Sequence, residues 1–351
     1  MKKWISLLLV LLLLTGCGFT KTPATTQTPT TTQAPEQAES FRVHLVDVGQ
    51  ADCILLECGG KFMLIDGGNV SDSSLVVSYL QKQGVETLET VVCTHAHEDH
   101  VGGLPGVLAV FPTKQVLAPT KTYSSKCFED FLYYVDQQRL EVQIPTPGQQ
   151  FSLGSARITV LGPVKSYAET NDTSIVLLAE YGQHSFLFTG DMETTAENDM
   201  LDYWDSKNVD WNVDVLKVGH HGSNTSTGYR FLYETDPEYG LISVGEDNSY
   251  GHPHEEPMSR LQDAQVETYR TDTLGTVLIT SDGQTLEFSW EKSTAAPETP
   301  DGETCYIGNV KSKVLHLPSC GNLPKEGNRI EFESYEEALE AGYRPCSNCM
   351  E

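Results

Sequence analysis

Basic residues are scarce in this chain: 23 Lys and Arg stand against 49 Asp and Glu, for a formal charge of −26. So acidic a surface gives a polyanion no electrostatic footprint, which argues against non-specific nucleic-acid binding through a basic face. Long apolar runs are missing too, since residues 4–14 are apolar but too short for a comfortable membrane span. No Gly-x-Ser-x-Gly elbow occurs, so nothing points to a serine nucleophile. The 351 residues leave room for one large domain and something small beside it.

What is present begins with an export signal. Lys2 and Lys3 precede the apolar stretch, and Leu14-Thr15-Gly16-Cys17 resembles a bacterial lipobox, in which Cys17 becomes the lipidated first residue. Residues 1–17 then form the signal peptide and lipobox, and acyl chains on Cys17 would hold the protein at the extracellular face of the cytoplasmic membrane. If the lipobox is not used, the protein is secreted. Residues 18–40, rich in Thr, Pro and Gln, cannot bury a core and read as a disordered tether.

Globular texture starts at Phe41. Residues 41–48, 52–58 and 61–65 read as successive strands with Gly59-Gly60 as a turn, and residues 73–83 have helical spacing that stops before Gly84. Residues 88–93 are apolar and β-branched, the pattern of a buried strand. Directly after them comes Thr94-His95-Ala96-His97-Glu98-Asp99-His100. Where the chain leaves the strand extended, His95 and His97 point to one side, because side chains alternate. They can grip one metal while Asp99 and His100, on the following turn, reach a second. Imidazole with carboxylate suits zinc, with iron or manganese as alternatives. Gly102-Gly103 is expected to let the backbone turn away close to this site. Further strands are expected at residues 157–161, 174–180, 185–188, 213–217, 239–243, 268–269, 276–280 and 285–290, with a helix at 193–204.

His-x-His-x-Asp-His after a buried strand resembles the metallo-β-lactamase fold superfamily. Val46-Asp47-Val48-Gly49-Gln50-Ala51-Asp52 and Leu64-Ile65-Asp66-Gly67-Gly68 precede it. Asn171-Asp172-Thr173-Ser174-Ile175-Val176-Leu177, Phe188-Thr189-Gly190-Asp191 and Leu216-Lys217-Val218-Gly219-His220-His221-Gly222-Ser223 follow it. In this order, across residues 41–290, the blocks are similar to the hydrolase domain of the competence DNA-uptake protein ComEC and its free-standing relatives. Ala51 stands where that family usually has glycine.

The resemblance implies an αββα sandwich of the α+β class, two sheets face to face with helices outside. It also implies two divalent metals held by His95, His97, Asp99, His100, Asp191 and His220, with Asp191 as the bridge. His220 falls at the family's last ligand position, leaving His221 to contact a substrate phosphate; the reverse assignment stays open. Asp66 is expected to hold a ligand histidine in its tautomer. No isolated histidine fills the third-motif position of true β-lactamases, and Asp172 or Asn171 could approach the metal left short, or serve only as turn residues. His252, in Tyr250-Gly251-His252-Pro253, matches a family position near the cleft. A water between two divalent ions ionises near neutral pH, and His252 or His221 could protonate the leaving oxygen. Asp99, His221 and His252 are thus the candidate catalytic groups.

Residues 291–304 read as a second linker. Beyond it, His316-x-x-x-Cys320 and Cys346-x-x-Cys349 give four soft ligands with structural-zinc spacing. Residues 305–351 resemble the small Ada-like metal-binding domain found appended to secreted nucleases. Four protein ligands leave no open position, and a module this small needs a staple to fold. A Cys320–Cys346 or Cys320–Cys349 disulfide is the alternative outside a cell, and Cys305 is surplus to the four-ligand count. Cys53 and Cys93 fall in expected strands as buried thiols, which hints at a reducing habitat; Cys58 and Cys127 remain besides.

These features point to a membrane-anchored two-metal hydrolase that cleaves a phosphodiester, with DNA as the first candidate. The acidic charge stands against DNA, though bound ions would offset it locally. A phosphorylcholine esterase or lactamase on the same fold is the alternative, because fold does not fix substrate. The intact ligand set disfavours a non-catalytic binding protein, and no protein partner is indicated.

Overall fold

The computed structural model describes residues 39–292 and 306–350, apart from positions 206, 208, 210, 319, 321, 322, 325, 333, 347 and 348. Cys17, the tether up to residue 38, linker residues 293–304 and Cys305 lie outside the described residues. Among the described residues no helix is long and apolar enough to cross a membrane.

In chain order the strands are β1 Phe41–Leu45, β2 Ile54–Cys58, β3 Lys61–Ile65, β4 Leu88–Val92, β5 Val116–Leu117, β6 Val142–Gln143, β7 Gln150–Leu153 and β8 Ala156–Gly162. There follow β9 Val176–Tyr181, β10 His184–Phe188, β11 Val215–Lys217, β12 Tyr239–Ile242, β13 Glu267–Arg270, β14 Val277–Ser281 and β15 Leu286–Trp290. They form two mixed sheets, ordered β15-β14-β1-β2-β3-β4-β5-β6 and β13-β12-β11-β10-β9-β8-β7.

Period-two alternation explains the layers. Ile54, Leu56, Met63 and Ile65 point inward, where they meet Ile158, Val160, Leu177, Phe186 and Val215 of the second sheet. Leu55, Leu64 and Val91, on the opposite face, pack beneath helices Ser73–Lys82, Leu104–Val110 and Lys126–Gln137. Leu178, Leu187 and Leu216 likewise pack beneath helices Thr194–Asp205, Tyr229–Thr235 and Glu255–Asp263. The architecture is therefore the αββα sandwich expected from sequence. β3 to β6 run parallel in one sheet and β10 to β13 in the other. The loops leaving the carboxyl ends of β4, β10 and β11 carry the candidate metal ligands, the usual place for a site in parallel sheets.

The carboxyl-terminal module is a four-stranded sheet of β16 Tyr306–Asn309, β17 Val314–His316, β18 Arg329–Phe332 and β19 Arg344–Pro345, ordered β18-β16-β17-β19. Among the described residues its core is small: Tyr306, Leu315, Phe332, Tyr335, Ala338, Tyr343 and Met350. So little apolar burial agrees with the need for a metal staple.

Glu197, buried on helix Thr194–Asp205, accepts the backbone N–H of Thr227 and, at 2.9 Å, that of Gly228. It thereby ties down the segment after the His220-His221 pair. Burial pushes its carboxyl up to about 7. The folded value lies above the unfolded one, so the associated stability is complete below about pH 4.5 and is lost as pH rises through about 7, a change on the order of 3 kcal/mol. Urea denaturation of the wild type and Glu197→Gln across that window should show the difference between them varying with pH. Parallel pH curves would refute the assignment.

Candidate metal centre

Asp66 follows β3 in a left-handed conformation (φ 59°), which turns its carboxylate under the loop that follows β4. That approach requires bare backbone: a Cβ on Gly103 would sit 2.0 Å from the Gly67 carbonyl oxygen, and one on Gly102 would sit 2.4 Å from the Val70 nitrogen. Gly102 and Gly103 have ordinary right-handed dihedrals. The backbone turns at this pair, as expected from sequence, and close packing is what requires glycine there.

Asp66 Oδ2 accepts from His100 Nδ1 at 2.8 Å and from the Thr94 hydroxyl at 2.6 Å, while Oδ1 accepts the Thr94 N–H at 2.7 Å. His100 is thus held with its Nδ1–H engaged and Nε2 turned inward, the orienting role expected of Asp66. His95 and His97 do lie on one side, with His95 Nε2 3.1 Å from His97 Nδ1. Asp191 follows β10, and its Oδ2 is the centre of the cluster. It stands 3.2 Å from His100 Nε2, 3.6 Å from His221 Nε2, 3.7 Å from His220 Nε2 and 3.8 Å from His95 Nε2.

The two histidines after β11 exchange the places expected of them. His221, not His220, joins Asp99, His100 and Asp191, all four offering ligand atoms within 4.8 Å of one another. His221 is 1% exposed at its side chain against 22% for His220, so the imidazole expected to face the opening is the buried one. The cause is local: His220 and His221 are consecutive left-handed residues (φ 49° and 53°), so strand-like alternation gives no guide to where they point. Such backbone costs roughly 1–2 kcal/mol per residue and persists where the surroundings enforce it. His221 Nδ1 donates to the Ser243 carbonyl at 2.8 Å, which leaves Nε2 for the cluster.

Two site residues were not singled out from sequence. Lys217 is wholly buried at the end of β11, with Nζ 2.9 Å from Asp52 Oδ2 and 3.0 Å from the Val218 carbonyl. Asp52 Oδ1 in turn lies 3.3 Å from His221 Nδ1. Both sit inside motifs quoted above, and a lysine between the buried apolar residues Leu216 and Val218 was the available signal. Asp172 and Asn171 do not approach the cluster as ligands. Asp172 accepts the Glu193 N–H at 3.1 Å and Asn171 donates to Glu193 Oε1 at 3.0 Å, so both fix the segment after Asp191. His252 stands beside the cluster, its ring stacked on His221 with centroids 6.3 Å apart and edge-on to His220 at 5.6 Å.

The electrostatics show how much negative charge converges here. Burial alone would lower His221 and His100. Asp191 with Asp52 instead raises His221 to about 10, and Asp191, Asp66 and Asp99 hold His100 well above the usual imidazole value. Burial would raise Asp99, but His100 and His221 bring it down to about 2. Burial, reinforced by His100, holds His95 well below the ordinary value. Burial and the neighbouring His221, His220 and His254 likewise bring His252 down to about 4.

Yet His100 Nε2, His221 Nε2 and Asp191 Oδ1, all buried, make no hydrogen bond. The 3.2 Å approach of His100 Nε2 to Asp191 is an ion-pair contact and not a hydrogen bond. An unpaired buried polar atom costs about 1–3 kcal/mol, and a divalent cation among these imidazoles and carboxylates would satisfy them together. The donor set therefore fits a metal. A second such set lies in the carboxyl-terminal module, where one atom each of His316, Cys320, Cys346 and Cys349 falls within 4.8 Å of the others. None of these cysteines forms a disulfide, contrary to the alternative above. Cys53 and Cys93 are buried thiols as expected, and so are Cys58 and Cys127.

Two facing mixed sheets with a His-x-His-x-Asp-His loop and a convergent aspartate at their seam define a metal-dependent hydrolase of the metallo-β-lactamase fold. Residues 46–246 match the family model of the metallo-beta-lactamase superfamily, and the chain belongs to that superfamily. Residues 290–351 match the metal binding domain of Ada. The chain is 29% identical over 254 residues to ComE operon protein 3 of Bacillus subtilis, covering 67% of this chain and 32% of that protein. It is 28% identical over 266 residues to Recombination protein 2 of Haemophilus influenzae, covering 74% and 31%. Competence protein ComA of Neisseria gonorrhoeae is 29% identical over 230 residues, covering 65% and 30%. The chain thus spans about a third of the length of these relatives.

Proposed function

We propose that this protein is a metal-dependent phosphodiesterase acting on DNA at the outer face of the cytoplasmic membrane, held there by lipid on Cys17. The observation that carries this reading is the convergence of four imidazole Nε2 atoms on Asp191 Oδ2, in a domain related to proteins named for competence and recombination. Asp99, His100, His221 and Asp191 would hold one ion, and His95, His97 and Asp191 the other, with His220 beside it. Zinc suits this donor set and the four-ligand module alike. A pair of such ions supplies Lewis acidity toward phosphoryl oxygens and lowers the pKa of a bound water toward neutrality. The chain's own contribution is orientation: Asp66 fixes His100, the Ser243 carbonyl fixes His221, and the Asp52–Lys217 pair backs His221. With a charge of −26 the surface gives DNA little long-range attraction, so contact concentrates at the metal cleft and affinity is weak.

The test is a screen of the metal-replete ectodomain on single- and double-stranded DNA, bis-p-nitrophenyl phosphate, phosphorylcholine esters and a chromogenic β-lactam. Cleavage of DNA and of the diester, lost in His97→Ala and Asp99→Asn, is expected. Robust turnover of the β-lactam or phosphorylcholine ester with neither DNA form cut would overturn the proposal. For the anchor, Cys17→Ser should release the protein from membranes or leave it unprocessed. Retention and lipidation like the wild type would refute it.

A further inference from the structure

Gln50 occupies the loop after Val48 and reaches across to His252, from a segment some two hundred residues away in sequence. Its side chain is held at both ends. Gln50 Oε1 accepts the Gly245 N–H at 3.2 Å, and Gln50 Nε2 lies 3.2 Å from His252 Nδ1. The first contact decides the second. A backbone N–H can only donate, so the amide oxygen must be the atom facing Gly245, and the NH2 group must face the imidazole. An NH2 group can only donate, so His252 Nδ1 is an acceptor and the ring proton sits on Nε2.

The rest of the loop holds that ring in register. Asn248 Oδ1 accepts the His252 N–H at 3.0 Å, and Asn248 Nδ2 donates to the His252 carbonyl at 2.6 Å and the Gly245 carbonyl at 3.0 Å. Tyr250 stacks on the imidazole at 5.6 Å and His254 stands edge-on at 4.7 Å. His252 packs against both His220 and His221, whose Nε2 atoms lie within 4 Å of Asp191 Oδ2, so it borders the place where a substrate must meet the cluster.

We propose that Gln50 is a positioning residue that locks His252 in its Nε2–H tautomer, and that His252 gives this N–H to an oxygen of the substrate phosphate. The proposal rests on the phosphodiesterase reading and specifies how that site takes its substrate. No proton leaves the ring. A neutral imidazole that surrendered Nε2–H would become an imidazolate, so His252 stabilises charge on the phosphoryl oxygen by a hydrogen bond and does not serve as the acid for the leaving group.

The test uses the full-length, metal-replete protein with 15N-labelled histidine. In the wild type His252 should show a protonated Nε2 and a bare Nδ1. Gln50→Glu replaces the donor with a carboxylate, and the ring should switch to Nδ1–H. For that variant kcat on bis-p-nitrophenyl phosphate and on single-stranded DNA should fall about 10²-fold, with metal content unchanged. His252→Gln keeps an N–H donor without an acid's chemistry and should retain more activity than His252→Ala. A wild-type His252 protonated on Nδ1 would overturn the lock. A switched tautomer in Gln50→Glu with undiminished kcat would overturn the role, as would His252→Gln no better than His252→Ala. If the wild type cleaves no phosphodiester at all, the phosphate role falls with the functional reading, while the NMR spectrum still decides the tautomer.

Discussion

Asp191→Ala is expected to abolish turnover and to strip metal from both positions at once. The carboxylate is 1% exposed and would be raised by burial, yet His100 and His221 hold it well below the ordinary range. It is therefore anionic throughout the working pH range, and its Oδ2 is the atom shared among imidazoles contributed by four residues. Removing a peripheral ligand such as His97 deprives one ion of one donor. Removing Asp191 takes the common donor and leaves buried imidazoles facing one another across an empty space. A loss of at least about 10³-fold in kcat, about 4 kcal/mol of transition-state stabilisation, is expected, and Asp191→Asn should be nearly as severe because it removes the charge while keeping the shape. Elemental analysis beside initial rates checks this. An Asp191→Ala protein with full metal content and rates within tenfold of wild type would mean that the cluster is assembled differently.

The largest stability effect should come from Asp52. Lys217 has no exposed surface, and Asp52 Oδ2 at 2.9 Å is its counter-charge. Asp52→Asn leaves an ammonium buried without one, and breaking a buried pair from one side costs about 3–5 kcal/mol. Lys217→Met leaves the carboxylate with His221 Nδ1 at 3.3 Å, so this single change should cost less than Asp52→Asn. The double variant Asp52→Asn with Lys217→Met should be more stable than the sum of the singles implies, because no uncompensated charge remains and neighbouring effects do not add. Urea midpoints on metal-free protein read this directly. Additive losses across the cycle would show that the two groups are not paired in solution.

Local motifs were legible and long-range ones were not. The sides taken by His95 and His97 followed from alternation at a strand end, whereas Asp66 behind a ligand histidine was what the family resemblance implied. The layers were readable for a similar reason, since β1 to β4 and β8 to β12 are runs of apolar residues long enough to show. β5 and β6 are two residues each, too short for any period to register. Helix Lys126–Gln137 did carry a signal, with Ser125 as its cap and Cys127, Phe128, Phe131 and Val135 on its buried side. The swap of His220 and His221 was illegible because two successive left-handed residues obey neither strand nor helix periodicity. The Asp52–Lys217 pair was illegible for another reason: two charges far apart in sequence, each at home on a surface, become a pair only after the sheets meet.

That the ligands leave both sheets has a mechanical consequence. His95, His97, Asp99 and His100 follow a strand of one sheet, whereas Asp191 and His221 follow strands of the other. Ions bound between them would clasp the two leaves of the sandwich along one edge, so part of the binding free energy would also be work against prising the leaves apart. Neither leaf holds a complete donor set alone. Occupancy of the site would in this sense gauge how tightly the halves are shut.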